Sequence, residues 1–307
     1  MIKTMKMTAM VVGLSLAGTA LTCSQSGLGG FLPENDLYIS ANQKGLKGGI
    51  TEAQFKSVID KVETVYAPII ANLGGQLQID RNWTDGTVNA YASQTGKVWK
   101  VAMFGGLARH ETITEDGMAL VVCHEIGHHV GGAPKKGGSS VSGGGWWGGT
   151  GTAAASWASN EGQADYFANL KCLRKVFLHD DNARIVTALK APAALTDACK
   201  QASKGNAEDT ALCIRASMAG KSVSNLFSVL GKLPETKFDA PDTKVVAKTD
   251  DNHPKAQCRL DTYFQGSLCE VSMNEDVSDK DEAKGTCHPS LGHKIGKRPL
   301  CWFRPSK

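Results

Sequence analysis

Residues 122–129 read Val-Cys-His-Glu-Ile-Gly-His-His, and their spacing decides how the rest of the chain is read. His124 and His128 stand four apart, so on a helix both imidazoles project from one face and can bind a single cation. Glu125 follows the first of them directly, where a carboxylate can take a proton from water activated at that cation. The helix has a start signal in Thr112-Ile113-Thr114-Glu115, the pattern of a capping box, and an apolar side in Met118, Val121, Val122 and Ile126. Gly127 in mid-helix costs about 1 kcal/mol relative to Ala, a choice explained if another backbone passes close by. His129 points about 100° away from its neighbour and is expected outside the site.

Two histidines and a carboxylate arise by chance on ordinary helices, and a catalytic zinc site also needs a third protein ligand and an open position for water. Ser159-Asn160-Glu161-Gly162-Gln163-Ala164-Asp165 supplies the candidates. Glu161 and Asp165 are again four apart. Glu161 is placed to complete the ligand set His124, His128 and Glu161 for one Zn²⁺. Asp165 is placed to accept a hydrogen bond from the remaining ring N–H of a ligating His, fixing its tautomer. The alternative is a solvated acidic helix face.

With these residues in hand, the chain resembles the gluzincin metallopeptidases, in which Glu-x-x-Ala-Asp follows His-Glu-x-x-His. It is most similar to the branch that holds CAAX prenyl proteases and bacterial heat-shock proteases. Asn89-Ala90-Tyr91-Ala92 matches that branch's Asn-Ala-aromatic-Ala strand, and His253-Pro254 followed by Arg259 matches its downstream His-Pro and Arg element. The resemblance spans residues 51–264 and implies a zincin-like α+β fold, mostly helical with a small antiparallel sheet beside the His helix. It further implies a zinc endopeptidase in which Glu125 is the general base and Asp165 orients a ligand. His253 and Arg259 would join the catalytic set near the oxyanion or the substrate backbone. The branch's integral-membrane members carry long hydrophobic spans, and this chain has none after its first residues.

Those first residues read as a secretory signal: Lys3 and Lys6 precede a short apolar run over 9–20. Small residues at Gly18-Thr19-Ala20 suit cleavage after Ala20. Ala20-Leu21-Thr22-Cys23 resembles a lipobox, which would make Cys23 a lipidated first residue and a membrane attachment. Removing residues 1–22 takes away two lysines and no acid, so the net charge falls from +4 to +2. Charge so weak, with no Lys/Arg run, excludes a polyanion-binding surface, and no nucleic acid is expected as a partner. The partner expected is a protein or peptide substrate, met in the periplasm, at the outer membrane or outside the cell.

Nine cysteines less Cys23 leave eight, an even count that suits disulfides in an exported chain. Bonds are expected among most of Cys199, Cys213, Cys258, Cys269, Cys287 and Cys301, with Cys123 read as a small buried hydrophobe. Domain limits follow: a signal over 1–22, a flexible leader over 23–50, a metallopeptidase domain over 51–264 and a Cys-rich tail over 265–307. Within the domain, Thr51-Glu52-Ala53-Gln54 opens an amphipathic helix that ends at Gly74-Gly75. Strands are expected over 76–82, 87–93 and 97–104, joined by turns at 84–86 and 94–96. Helices follow over 159–178, 182–204 and 208–230, then a polar linker over 234–252 and a short helix after Pro254. Trp146 and Trp147, in a Gly-rich loop, suit either a lid over substrate or a plug in an apolar patch.

A secreted degradative protease uses the same centre on other substrates, and a metal-stabilised binding protein uses it without turnover. Glu125 argues against the second, because a purely structural site has no need of that base.

Overall fold

In a computed structural model of the protein, which describes residues 29–306 apart from 44, 46, 47 and 138–155, Thr51 opens the first helix as its sequence demands. The Gln54 N–H donates to the Thr51 hydroxyl while the Thr51 N–H donates to Gln54 Oε1, closing the capping box. The helix, α1 (Glu52–Asn72), buries Phe55, Val58, Ile59, Val62, Tyr66 and Ile70 along one stripe and stops where Gly74 takes φ +84°. The signal segment, Cys23, Trp146 and Trp147 lie outside the described residues.

Three strands follow: β1 (Gln76–Asn82), β2 (Ala90–Thr95) and β3 (Val98–Phe104), in the order β1-β3-β2. β2 and β3 form the expected hairpin around Gly96 at φ +57°. β1 instead pairs parallel to β3, so the sheet is mixed and not antiparallel. The cause lies in residues 83–87. Arg109 donates to the carbonyls of Trp83 and Asp85, and the Gly106 and Leu107 N–H groups take Asp85 O and Thr87 O. With those carbonyls spoken for, Thr84-Asp85-Gly86 carries the chain past the sheet to the far side of β3. Gly106 and Leu107 belong to α2 (Gly105–Ala108), a single turn.

The central helix is α3 (Glu115–Val130), packed on α1 and against the sheet. Its cap is Thr114, whose hydroxyl accepts from the Gly117 N–H at 3.0 Å; the expected cap Thr112 sits two residues outside and accepts Ser222 Oγ–H on its carbonyl. Next come α4 (Glu161–Phe167), a π-turn over Ala168–Cys172 and α5 (Leu173–Val176), together the helical stretch expected there. The single helix expected over 182–204 is two, α6 (Asn182–Thr187) and α7 (Ala193–Ala202), because Pro192 cannot continue a helix and restricts the residue before it. Last are α8 (Ala207–Gly231) and α9 (Ala256–Leu268), antiparallel partners under the site.

Both ends of the described chain are built into this body. Phe31 and Leu32 are fully buried in the main core, so the leader is anchored at those two residues. In the tail, Trp302 and Phe303 are buried and join Tyr166, Leu170 and four cysteines in a second cluster. The eight cysteines among the described residues lie in pairs at disulfide distance: Cys123–Cys172, Cys199–Cys213, Cys258–Cys301 and Cys269–Cys287, with Cα separations of 5.6, 5.7, 6.0 and 5.7 Å. Cys123 is therefore paired and not a free thiol. Its partner lies 49 residues on, and the bond ties α3 to the π-turn beside the site. Cys123→Ala with Cys172→Ala is expected to lower stability by about 2–4 kcal/mol, read from urea unfolding; an unchanged midpoint would exclude a stabilising bond there. No helix among the described residues is long and apolar enough to cross a membrane.

Candidate metal centre

α3 and α4 cross so closely that a side chain at Gly127 would crowd Ala164. A Cβ at that position would stand 3.0 Å from Ala164 O and 3.1 Å from Ala164 Cα. This crossing brings the two halves of the sequence pattern together. The Nε2 atoms of His124 and His128 face the Glu161 carboxylate, His124 at 3.3 Å from Oε2 and His128 at 3.8 Å from Oε1. One ligand atom from each of the three residues falls within 4.8 Å of the others, and all three side chains are buried.

The other ring nitrogens are taken. His124 Nδ1 lies 2.7 Å from Asp165 Oδ1 and His128 Nδ1 lies 2.8 Å from Ser159 O. Each acceptor holds a proton on Nδ1 and leaves the Nε2 lone pair aimed at the common point. His124 Nε2 and Glu161 Oε2 are buried with no hydrogen-bond partner, a costly state for polar atoms unless something else satisfies them. Two imidazoles, each of which ligates in its neutral form, and a carboxylate converging on one point are the donor set of a divalent cation, Zn²⁺ foremost. The residues fit the group. A second grouping, Asp242 with Cys258 and Cys301, does not, because its two sulfurs are joined to each other.

Glu125, 1 % exposed, lies next to this point with Oε1 unpartnered. Burial pushes its carboxyl up to about 7, partly offset by His124. Burial also holds His128 neutral, down to about 3. For His124 burial acts the same way, but Asp165 and Glu161 outweigh it and raise the ring to about 9.

Asp165 in turn is held by α9. Its Oδ1 accepts from Arg259 Nη2 at 2.5 Å and from the Tyr263 hydroxyl at 2.7 Å. Arg259 is fully buried, lies over Phe227 and Phe31 at 4.0 and 4.6 Å from the ring centroids, and donates to Phe31 O. Expected near the oxyanion or the substrate backbone, it is packed behind His124, with Nη2 3.5 Å from Nδ1 of that ring, and against Phe31. His253 remains at the rim: its Nε2 donates to Gly30 O at 2.7 Å and lies 3.4 Å from Glu161 Oε2. Asn89, first residue of the Asn-Ala-Tyr-Ala stretch, clamps the leader through both its side-chain atoms and the backbone of Leu32.

His129 faces away from the centre, as expected. It is stacked between Trp99 and Trp157, with Nε2 3.2 Å from Lys100 O. His110 and His288 take local capping roles through Nδ1. Three residues of the centre escape motif reading. Tyr263 shares a face with Arg259 one turn on, a signal available at i, i+4. Phe31, edge-on to His124 at 4.8 Å between centroids, and Lys136, paired with Glu161, carry no signal in their local sequence. No family model, curated protein or solved structure matches the chain.

Proposed function

We propose that the protein is a zinc-dependent peptidase, and more particularly an endopeptidase acting on exported or misfolded proteins of the cell envelope. The observation that carries the reading is the convergence of His124 Nε2, His128 Nε2 and Glu161 on one point, with the unpartnered carboxylate of Glu125 beside it. His124, His128 and Glu161 would hold the ion, which when bound supplies Lewis acidity toward water and a peptide carbonyl. The protein's own groups do the rest. Glu125 takes the proton from the attacking water and passes it to the leaving amine. Asp165 and Ser159 O keep the two rings in the ligating tautomer, and Arg259 with Tyr263 keeps Asp165 in place. His253, at the rim, is the donor available to a developing oxyanion once its bond to Gly30 O is exchanged.

The envelope setting rests on the secretory signal read in the sequence. Four cysteine pairs at bonding distance and no membrane-spanning helix among the described residues are compatible with it. Casein cleavage is expected to disappear with a chelator and return with about one equivalent of Zn²⁺ per chain. Zinc that raises the Tm without any cleavage would instead favour the binding-protein reading.

A further inference from the structure

Lys136 belongs to none of the motifs, yet its Nζ lies 2.7 Å from Glu161 Oε1. The side chain is 14 % exposed and its partner 1 %, so this is a nearly buried pair. It is also a fixed one. The Lys136 N–H donates to Ala158 O, and the Asn160 N–H to Pro134 O. Lys135 bridges to Ser159, and Asp251 receives both the Gly137 N–H and Asn160 Nδ2. The chain before residue 138 and the chain after 155 are thereby zipped together at the mouth of the centre, with the ammonium aimed at the ligand carboxylate. Of the groups that face Glu161, His124, His128 and His253 are imidazoles, and Lys136 is the ammonium in contact.

A divalent cation taken up by Glu161 must therefore displace an ammonium from the carboxylate or tolerate a like charge a few ångströms away in a buried site. Both weaken uptake. With neither metal nor Lys136, Glu161 would be a buried carboxylate left to the imidazoles of His124, His128 and His253 for counter-charge, a less stable arrangement. We propose that Lys136 is a tethered counter-ion that competes with the metal for Glu161, holding the centre together in the metal-free protein and lowering its affinity for the ion. This rests on the reading of His124, His128 and Glu161 as ligands.

Competition predicts opposite signs for two observables, which a merely structural lysine does not. In Lys136→Met, Zn²⁺ should bind about tenfold tighter or more, measured against a chromophoric chelator, because the opposing charge is gone. The same variant should unfold at a lower Tm in chelator and show a larger rise with Zn²⁺ than the parent. Lys136→Gln, which keeps an amide donor to Glu161 with less disturbance of the pairing around it, should move both readings in the same directions. Lys136→Arg should hold both near the parent values. Unchanged or weaker Zn²⁺ binding in Lys136→Met and Lys136→Gln, with a parent that binds Zn²⁺, would overturn the competition. A parent that binds no Zn²⁺ would overturn the metal reading itself, so the two failures are distinct.

Discussion

Glu125→Gln is expected to reduce peptide hydrolysis by about 10²–10⁴-fold while leaving Zn²⁺ binding nearly unchanged. The side chain is buried beside the ligand set but is not part of it: its Oε1 has no partner, and the ligand atoms belong to His124, His128 and Glu161. Glutamine fills the same volume and keeps an acceptor, yet it cannot take a proton at neutral pH, so only the proton-transfer step is removed. Removing a buried carboxylate that burial already disfavours should not lower the Tm. A peptide-library digest run alongside metal analysis of the same preparation separates the outcomes. Undiminished turnover would reject Glu125 as the base, and joint loss of metal and turnover would show it to be structural.

That the variant can be designed at all reflects how much of the centre is local. A 3.6-residue period places His124 with His128, and Glu161 with Asp165, before any tertiary contact is known. Gly127 likewise announces a close backbone, and the backbone is that of Ala164. What crosses long distances in sequence is not legible in this way. The spans of β1 and β3 follow from their composition, but the parallel pairing of β1 depends on Arg109 and on α2 capturing residues 83–87. Cys123 reads as a hydrophobe until the π-turn brings Cys172 to it. Lys136 is one of many lysines until the pairing of residues 134–136 with 158–160 turns it inward.

Arg259 is the clearest case, because its motif is recognisable and its place is not. The pattern of His253-Pro254 followed by Arg259 implies a place near the oxyanion or the substrate backbone and says nothing of what packs against either side chain. Phe31, arriving from 228 residues earlier in sequence, fills the space between Arg259 and the rim and accepts its Nη1–H. The leader thus covers one face of the guanidinium, whose charged partner is Asp165. Such an assignment needs the folded chain, since nothing around Phe31 sets it apart from any other apolar residue.

Arg259→Met should consequently be a stability and metal-affinity variant first and a turnover variant second. Both Arg259 and Asp165 are fully buried, and the guanidinium is the counter-charge that holds the Asp165 carboxyl below its usual range against burial. Methionine fills much of the volume between Phe31 and Phe227 but leaves a buried carboxylate facing only His124 and Tyr263. Removing one partner of such a pair costs about 3–5 kcal/mol. Asp165 can lower that cost by taking up a proton, and a neutral Asp165 then holds His124 Nδ1–H more weakly. Zn²⁺ affinity should fall by about 10–100-fold, the usual consequence of losing the group that orients a ligating His. Urea unfolding in chelator reads the first effect and chelator competition the second. Asp165→Asn in the same chain removes the stranded charge, so the double variant should be less destabilised than the sum of the singles by about 1–3 kcal/mol. Additive losses, or a single variant within about 1 kcal/mol of the parent, would mean that Arg259 does not act through Asp165.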